Sequence, residues 1–167
     1  SNINCPACNR TGEFLFIKSK FNINECPFCK TIYISPRPDK ESLTKYYTES
    51  KSTKFWATTF YKATEKSRRE KLWKPKAQLV NNKIHKYTND VSSIVDIGGG
   101  YGIFMEEFLK LNNMSHTIIE PSHDLANICK SKKLTVIEKF LEDINLDDLD
   151  SGKKSFVSFE LFEHLLD

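Results

Sequence analysis

Two groups of residues in this 167-residue chain have the types and spacing that do chemistry. The first is a pair of short cysteine turns, Cys5-Pro6-Ala7-Cys8 and Cys26-Pro27-Phe28-Cys29. Two thiolates three positions apart on a tight turn offer two sulfurs to one side of an ion, and a hairpin between the turns brings the second pair opposite. The 17 residues between them lie within the spacing of four-cysteine zinc sites. A segment of under about 40 residues has too little core to fold by burial alone, so the ion would supply the missing free energy. Two matched turns make a redox dithiol or a disulfide the weaker alternative, and four protein ligands leave no open position, which makes the site structural. Asn9 and Lys30 follow the turns where many such sites carry glycine; asparagine tolerates a left-handed backbone there and lysine less well. Cys129 lies on an apolar helix face and reads as core.

The second group is Val95-Asp96-Ile97-Gly98-Gly99-Gly100-Tyr101-Gly102, a strand ending in an acid, then glycines at alternate positions, then a helix. A tight turn from strand to helix needs glycine, because a ligand must approach the backbone with no Cβ in the way. The free amides near Ile103 favour a carboxylate or phosphate. A dinucleotide fingerprint anchored on Gly98 and Gly100 wants a small residue at 103, where this chain has Ile103. The next strand ends in Glu120, whose carboxylate can accept both hydroxyls of a ribose, and Pro121 can lie flat against an adenine.

The elements that must position these groups follow from pattern. Residues 13–17 and 31–34 are strand-like, and Ser35-Pro36-Arg37-Pro38 marks a boundary because proline continues neither strand nor helix there. Asp39 can cap a helix through Tyr47. From Lys51 to Tyr87 apolar residues recur at near-helical spacing (Trp56, Phe60, Leu72, Leu79, Ile84), with Pro75 expected to start or kink a helix. Strands are then expected at 93–97, 116–120, 134–138 and 155–159, with helices at 104–111 and 122–132. This alternation specifies an α/β domain with a parallel sheet and right-handed crossovers.

With those residues in hand, about residues 90–167 resemble class I S-adenosylmethionine-dependent methyltransferases. The resemblance implies that Asp96, Gly98, Gly100 and Gly102 hold the methionine part of the cofactor and Glu120 the ribose, and that Phe140 and Leu141 belong to an adenine-side loop. The segment Phe159-Glu160-Leu161-Phe162-Glu163-His164 is similar to a Glu-x-x-Glu-His element of many of these enzymes. There Glu160 would meet the methionine ammonium and His164 would act as general base; in a related RNA 2'-hydroxyl subset, Glu160, Glu163 and His164 would instead bind a divalent ion. The cysteine turns, the Ile-Ser-Pro-Arg-Pro stretch and the capped helix ending in Tyr46-Tyr47 look like the zinc-ribbon subgroup of small-molecule methyltransferases, often acting on sugars. The implied organisation is a zinc ribbon at 1–38, a helical linker or lid at 39–89, and the first half of a Rossmann-like domain at 90–167, four parallel strands of a family order 3-2-1-4-5-7-6. Such a piece would be a fragment that binds cofactor weakly, turns over nothing alone and leaves the edge of its fourth strand open.

Composition sets wider limits. A net charge of +3 and 39% hydrophobic residues suit a globular chain and do not by themselves call for nucleic acid. No apolar run approaches the roughly 20 residues of a membrane span, and a cytoplasmic location is the default expectation. The basic stretch with Lys62, Lys66, Arg68, Arg69, Lys71, Lys74, Lys76, Lys83 and Lys86, interleaved with Tyr61 and Trp73, has three readings. It is a solvated helix face, a lid over the cofactor, or a phosphate-tracking surface, the last making the chain an RNA methyltransferase. The methyl acceptor, expected to be a small molecule, and the oligomeric state are left open.

Overall fold

The structure, a computed structural model, describes residues 2–88 and 90–165, apart from the side chain of Glu163. It divides into two compact units, Ser1–Tyr46 and Tyr47–Leu165.

In the first unit, β1 (Glu13–Lys18), β2 (Phe21–Glu25) and β3 (Ile32–Ile34) form an antiparallel sheet in that order. Ser19 and Lys20 are both left-handed, φ 51° and 72°, which matches the right-handed strand twist and closes a two-residue hairpin. The sequence marks β1 and β3 but not β2, because Phe-Asn-Ile-Asn-Glu dilutes two strand formers with two asparagines. The buried core here is Cys5, Cys26 and Tyr33, backed by Ile3 and Cys8, so most of it is thiol. Helix α1 (Lys40–Glu49) follows, with the Asp39 carboxylate accepting from the Ser42 amide at 2.8 Å as the capping pattern requires.

In the second unit a helical run passes without interruption from α2 (Lys51–Phe55) through α3 (Tyr61–Arg68) to α4 (Lys74–Tyr87). Two π-turns, Trp56–Phe60 and Arg69–Trp73, join the three. The second has a local cause. Pro75 has no N–H and its ring crowds the carbonyl four residues back, so the preceding turn widens and the Lys74 amide reaches the Arg69 carbonyl instead. Each widened turn adds a residue and shifts the phase of the buried face. Ala77, Val80 and Ile84 face the core, while Leu79, about 140° from Ile84 on the same helix, and Trp56, both expected on the apolar face, are exposed.

The sheet of this unit is parallel throughout, built from β4 (Ser93–Ile97), β5 (Ser115–Ile119), β6 (Val136–Ile137) and β7 (Lys154–Ser158) in the order β6-β5-β4-β7. This is the 3-2-1-4 order of the resemblance, a partial Rossmann-like sheet. β4 is central, and Ser93, Ile94, Val95 and Asp96 are all buried, as a strand covered on both faces must be. Helices α5 (Ile103–Leu109) and α6 (His123–Ser131) are the crossovers. The expected strand at 134–138 shrinks to two residues because Lys133 is left-handed and the Leu134 amide bonds back to Cys129 to close α6. The helical run shares one core with the sheet, where Trp73, Ala77, Val80 and Ile84 pack with Ile94, Phe104, Phe108 and Ile118. Among the described residues no helix is long and apolar enough to cross a membrane.

Candidate cofactor-binding site and cysteine cluster

The two cysteine turns converge. Cys5 Sγ lies 3.5 Å from Cys29 Sγ, Cys8 Sγ lies 3.5 Å from Cys26 Sγ, and all four sulfurs fall within 4.8 Å of one another. Bonds of about 2.3 Å to a tetrahedral ion imply sulfur separations of roughly 3.8 Å, so the donor set and its spacing fit zinc. Backbone geometry builds both turns alike. The Asn9 and Lys30 amides return to the carbonyls of Cys5 and Cys26 at 2.8 and 2.9 Å, with both residues left-handed at φ 56° and 63°. Lys30 adopts this conformation despite its Cβ, and its ammonium pairs with Glu25 at 3.3 Å.

In the glycine loop Gly98, Gly100 and Gly102 all have positive φ. Two of them have distinct physical reasons. A Cβ on Gly100 would meet only the Gly98 carbonyl oxygen, at 4.0 Å, so glycine is required there by the positive φ of 56° and not by crowding. A Cβ on Gly102, which caps α5, would come within 2.8 Å of Leu134 Cδ1 and 2.9 Å of Cys129 Sγ. Gly102→Ala is therefore expected to destabilise the second unit by about 3 kcal/mol, a sum of left-handed strain and overpacking, read as a lower denaturation midpoint at constant slope. An unchanged midpoint would refute the close approach.

Two acids flank the loop. Asp96, 1% exposed at the end of β4, is pushed up to about 7 by burial and by the charge of Glu120. Glu120, 6% exposed just past β5, is raised by burial, against the pull of two amides: Ser122 N–H donates to one oxygen and Gly100 N–H to the other, both at 2.9 Å. Among the described residues no cationic side chain bonds either acid. A carboxylate has roughly four acceptor sites, so Glu120 can keep both amides and still accept a hydroxyl on each oxygen.

No protein-family model matches the chain, and no curated protein matches it. Solved structures do. The chain is similar to the plantazolicin methyltransferase BpumL in complex with SAH, at 15% identity and a TM-score of 0.47 over 62% of this chain and 40% of that one. It is similar to DesVI of Streptomyces venezuelae at 21% identity and 0.45, over 59% and 39%. It is also similar to the plantazolicin methyltransferase BamL in complex with a triazolic desmethylPZN analog and SAH, at 13% identity and 0.45, over 61% and 40%. The chain thus spans 40% of the length of the BpumL chain.

The remaining expected site residues are more scattered. Pro121 is half-buried beside Glu120. Phe140 meets the edge of Tyr47 at 6.4 Å, whereas Leu141 packs against the apolar group of Val95, Ile119 and Leu149. His164, also edge-on to Tyr47 at 6.5 Å, is exposed. Glu160 follows β7 in a left-handed conformation with its side chain 81% exposed, 4.0 Å from the Lys76 ammonium. The divalent-ion reading needs Glu163, whose side chain lies outside the described residues. Next to Gly98 the chain instead places Leu161, whose Cδ1 would lie 3.1 Å from a Cβ there. Sequence reasoning also missed Tyr101 as a partner of Tyr61: the rings stack at 5.6 Å, and burial, with Glu120 adding to it against Arg68, raises the Tyr61 hydroxyl. Its one sequence signal was the density of aromatic residues at 55–61.

The basic stretch is largely engaged within the unit. Arg69 reaches Glu107 and Glu65 at 2.6 Å and Glu106 at 2.8 Å, and Lys132 joins Glu106 at 3.0 Å, tying the helical run to α5 and α6. Arg68 lies over Tyr61 and Trp73, Lys76 over Trp73 and Phe159, and Lys74 pairs with Glu70. Glu107, only 6% exposed, keeps Lys110 as a second partner at 2.5 Å, so Arg69→Ala removes three charge-assisted bonds without stranding the acid and is expected to cost about 2 kcal/mol. Calorimetric unfolding checks this, and a loss within the surface range of about 0.5 kcal/mol would refute it.

Proposed function

We propose that this chain carries the cofactor-binding part of an S-adenosylmethionine-dependent methyltransferase, with a structural zinc ribbon, acting on a small biosynthetic intermediate such as a sugar. The observation that carries the reading is the pair of buried acids beside the left-handed glycine turn, with no cationic side chain among the described residues bonded to either. A pyrophosphate would bring negative charge towards Asp96, which disfavours a dinucleotide. A nucleoside with an amino-acid tail brings an ammonium for the acids, a carboxylate for the free amides leading into α5, and ribose hydroxyls for Glu120.

When bound, the cofactor supplies a methyl group on a sulfonium, already activated for displacement. The residues here orient it. Glu120 holds the ribose while staying fixed by Gly100 and Ser122, and Gly100 leaves the backbone bare for the ligand. Transfer then depends on alignment of the acceptor, and His164 and Glu160 stand on the segment leaving β7, the strand end at which α/β sheets take their ligands. His164 is the group to remove a proton where the acceptor is a hydroxyl. Cys5, Cys8, Cys26 and Cys29 would hold zinc with no position open for substrate, so its part is structural.

Calorimetric titration of the zinc-loaded chain with S-adenosylhomocysteine and, separately, with NAD tests the reading. Heat and a raised melting temperature with the first alone are expected. Binding of NAD alone, or of neither ligand at millimolar concentration, overturns it.

A further inference from the structure

We propose that two copies of this chain associate through the open edge of β1, pairing antiparallel about a two-fold axis and joining two three-stranded sheets into one of six. β1 is the edge of its sheet. Edge strands are normally protected by short length, proline or an interior charge. β1 has six residues, no proline and no charge between Glu13 and Lys18. Its four central side chains are apolar and open to solvent: Phe14 60%, Leu15 44%, Phe16 44% and Ile17 65%.

The order of residues in β1 selects a second copy as the occupant. Glu-Phe-Leu-Phe-Ile-Lys is an acid, four apolar residues and a base, so an axis between Leu15 and Phe16 sets Glu13 of each copy opposite Lys18 of the other. Within its own sheet Glu13 stands opposite Glu25, an unfavourable like pair that an incoming lysine relieves. Backbone parity supports the same register. In a regular strand this axis would pair an outward-facing amide with an inward-facing one, and the ladder would fail. Here the two-residue turn makes Lys18 and Phe21 the closing pair, so Lys18 and Phe16 face β2 and Ile17 faces outward. The register shift between the Phe14–Asn24 and Phe16–Ile23 pairs leaves Leu15 as a bulge and resets the alternation, so Phe14 faces outward too. Phe14 of one copy and Ile17 of the other can then exchange both backbone bonds.

Sedimentation velocity of the full zinc-loaded chain over a concentration series tests the pairing. A dimer is expected, with E13K and K18E each weakening it about tenfold, because two opposite-charge pairs become like-charge pairs. The E13K/K18E double variant restores it to within about threefold. Retained zinc in each variant reports an intact ribbon. Independently, in the wild-type chain the Phe14 and Ile17 amides should gain protection from hydrogen exchange as concentration rises. A monomer at every concentration, single variants that dimerise like the wild type, a double variant that stays weak, or amides whose exchange ignores concentration overturns the proposal.

Discussion

Serine at Cys26 is expected to release the metal and unfold the first unit outright. Its core is Cys5, Cys26 and Tyr33 with Ile3 and Cys8 behind, and the apolar side chains of β1 lie in solvent and add no second layer. The unit therefore has little apolar burial to set against chain entropy, and the proposed zinc would provide most of its folding free energy, on the order of 10 kcal/mol for four-ligand zinc sites. That matches or exceeds the stability of a typical small domain, so loss of one ligand leaves no folded remainder. Metal analysis should find no bound zinc, and amide signals from β2 and β3 should collapse to unfolded positions, while signals from the parallel sheet persist because its core contains none of these cysteines. A chelator should act in the same way. A metal-free variant that keeps dispersed β2 signals would show that the ribbon stands without its ion.

Binding of S-adenosylhomocysteine is expected to tighten about tenfold between pH 6 and pH 8. Asp96, pushed up to about 7 by burial and by Glu120, is roughly one-tenth ionised at the lower pH and nine-tenths at the higher. Only the anion attracts the ligand's ammonium, which stays charged over this range. The ligand-free protein shows the opposite sign. The folded pKa lies above the unfolded value, so the folded state holds its proton longer and stability is greatest below the unfolded pKa. It declines as pH rises through the window from about 4 to about 7, by a few kcal/mol, and is flat beyond. Asp96→Asn removes this acid's part in both effects: the free protein becomes more stable at pH 8, and binding becomes weak, with its remaining dependence on pH set by Glu120. Affinity that stays level from pH 6 to 8 in the wild type would disprove the role of this acid.

How much of this was written in the chain depends on the range over which each feature is decided. The cysteine turns, the capped α1, the alternation that yields a parallel sheet, and the glycine turn before α5 were all legible, because each is set by neighbours within a turn or by a local period, whereas the strand order 3-2-1-4 was implied by the family resemblance alone. Even the left-handed backbone after each cysteine turn was marked at Asn9, although at Lys30 the residue type argued against what the turn imposes.

Other features were decided only by packing. The widened turn before α4 follows from how the helical run accommodates Pro75 while staying on the sheet, and no periodic pattern records a phase shift of one residue. Arg69 looked like one of nine basic residues until folding brought Glu106 and Glu107 to it across nearly 40 positions. Glu120 was expected to face a ribose, and the fold adds that it also clamps Gly100 and Ser122; Glu160, expected at the cofactor, stands in solvent beside Lys76, and Leu161 takes the place next to Gly98. The sequence by itself determined which residues could make a metal site and a nucleoside cradle, because those depend on spacing along the backbone. Which side chains meet in that cradle was decided by the tertiary structure, because contacts between distant residues depend on how helix and sheet faces are rotated against each other.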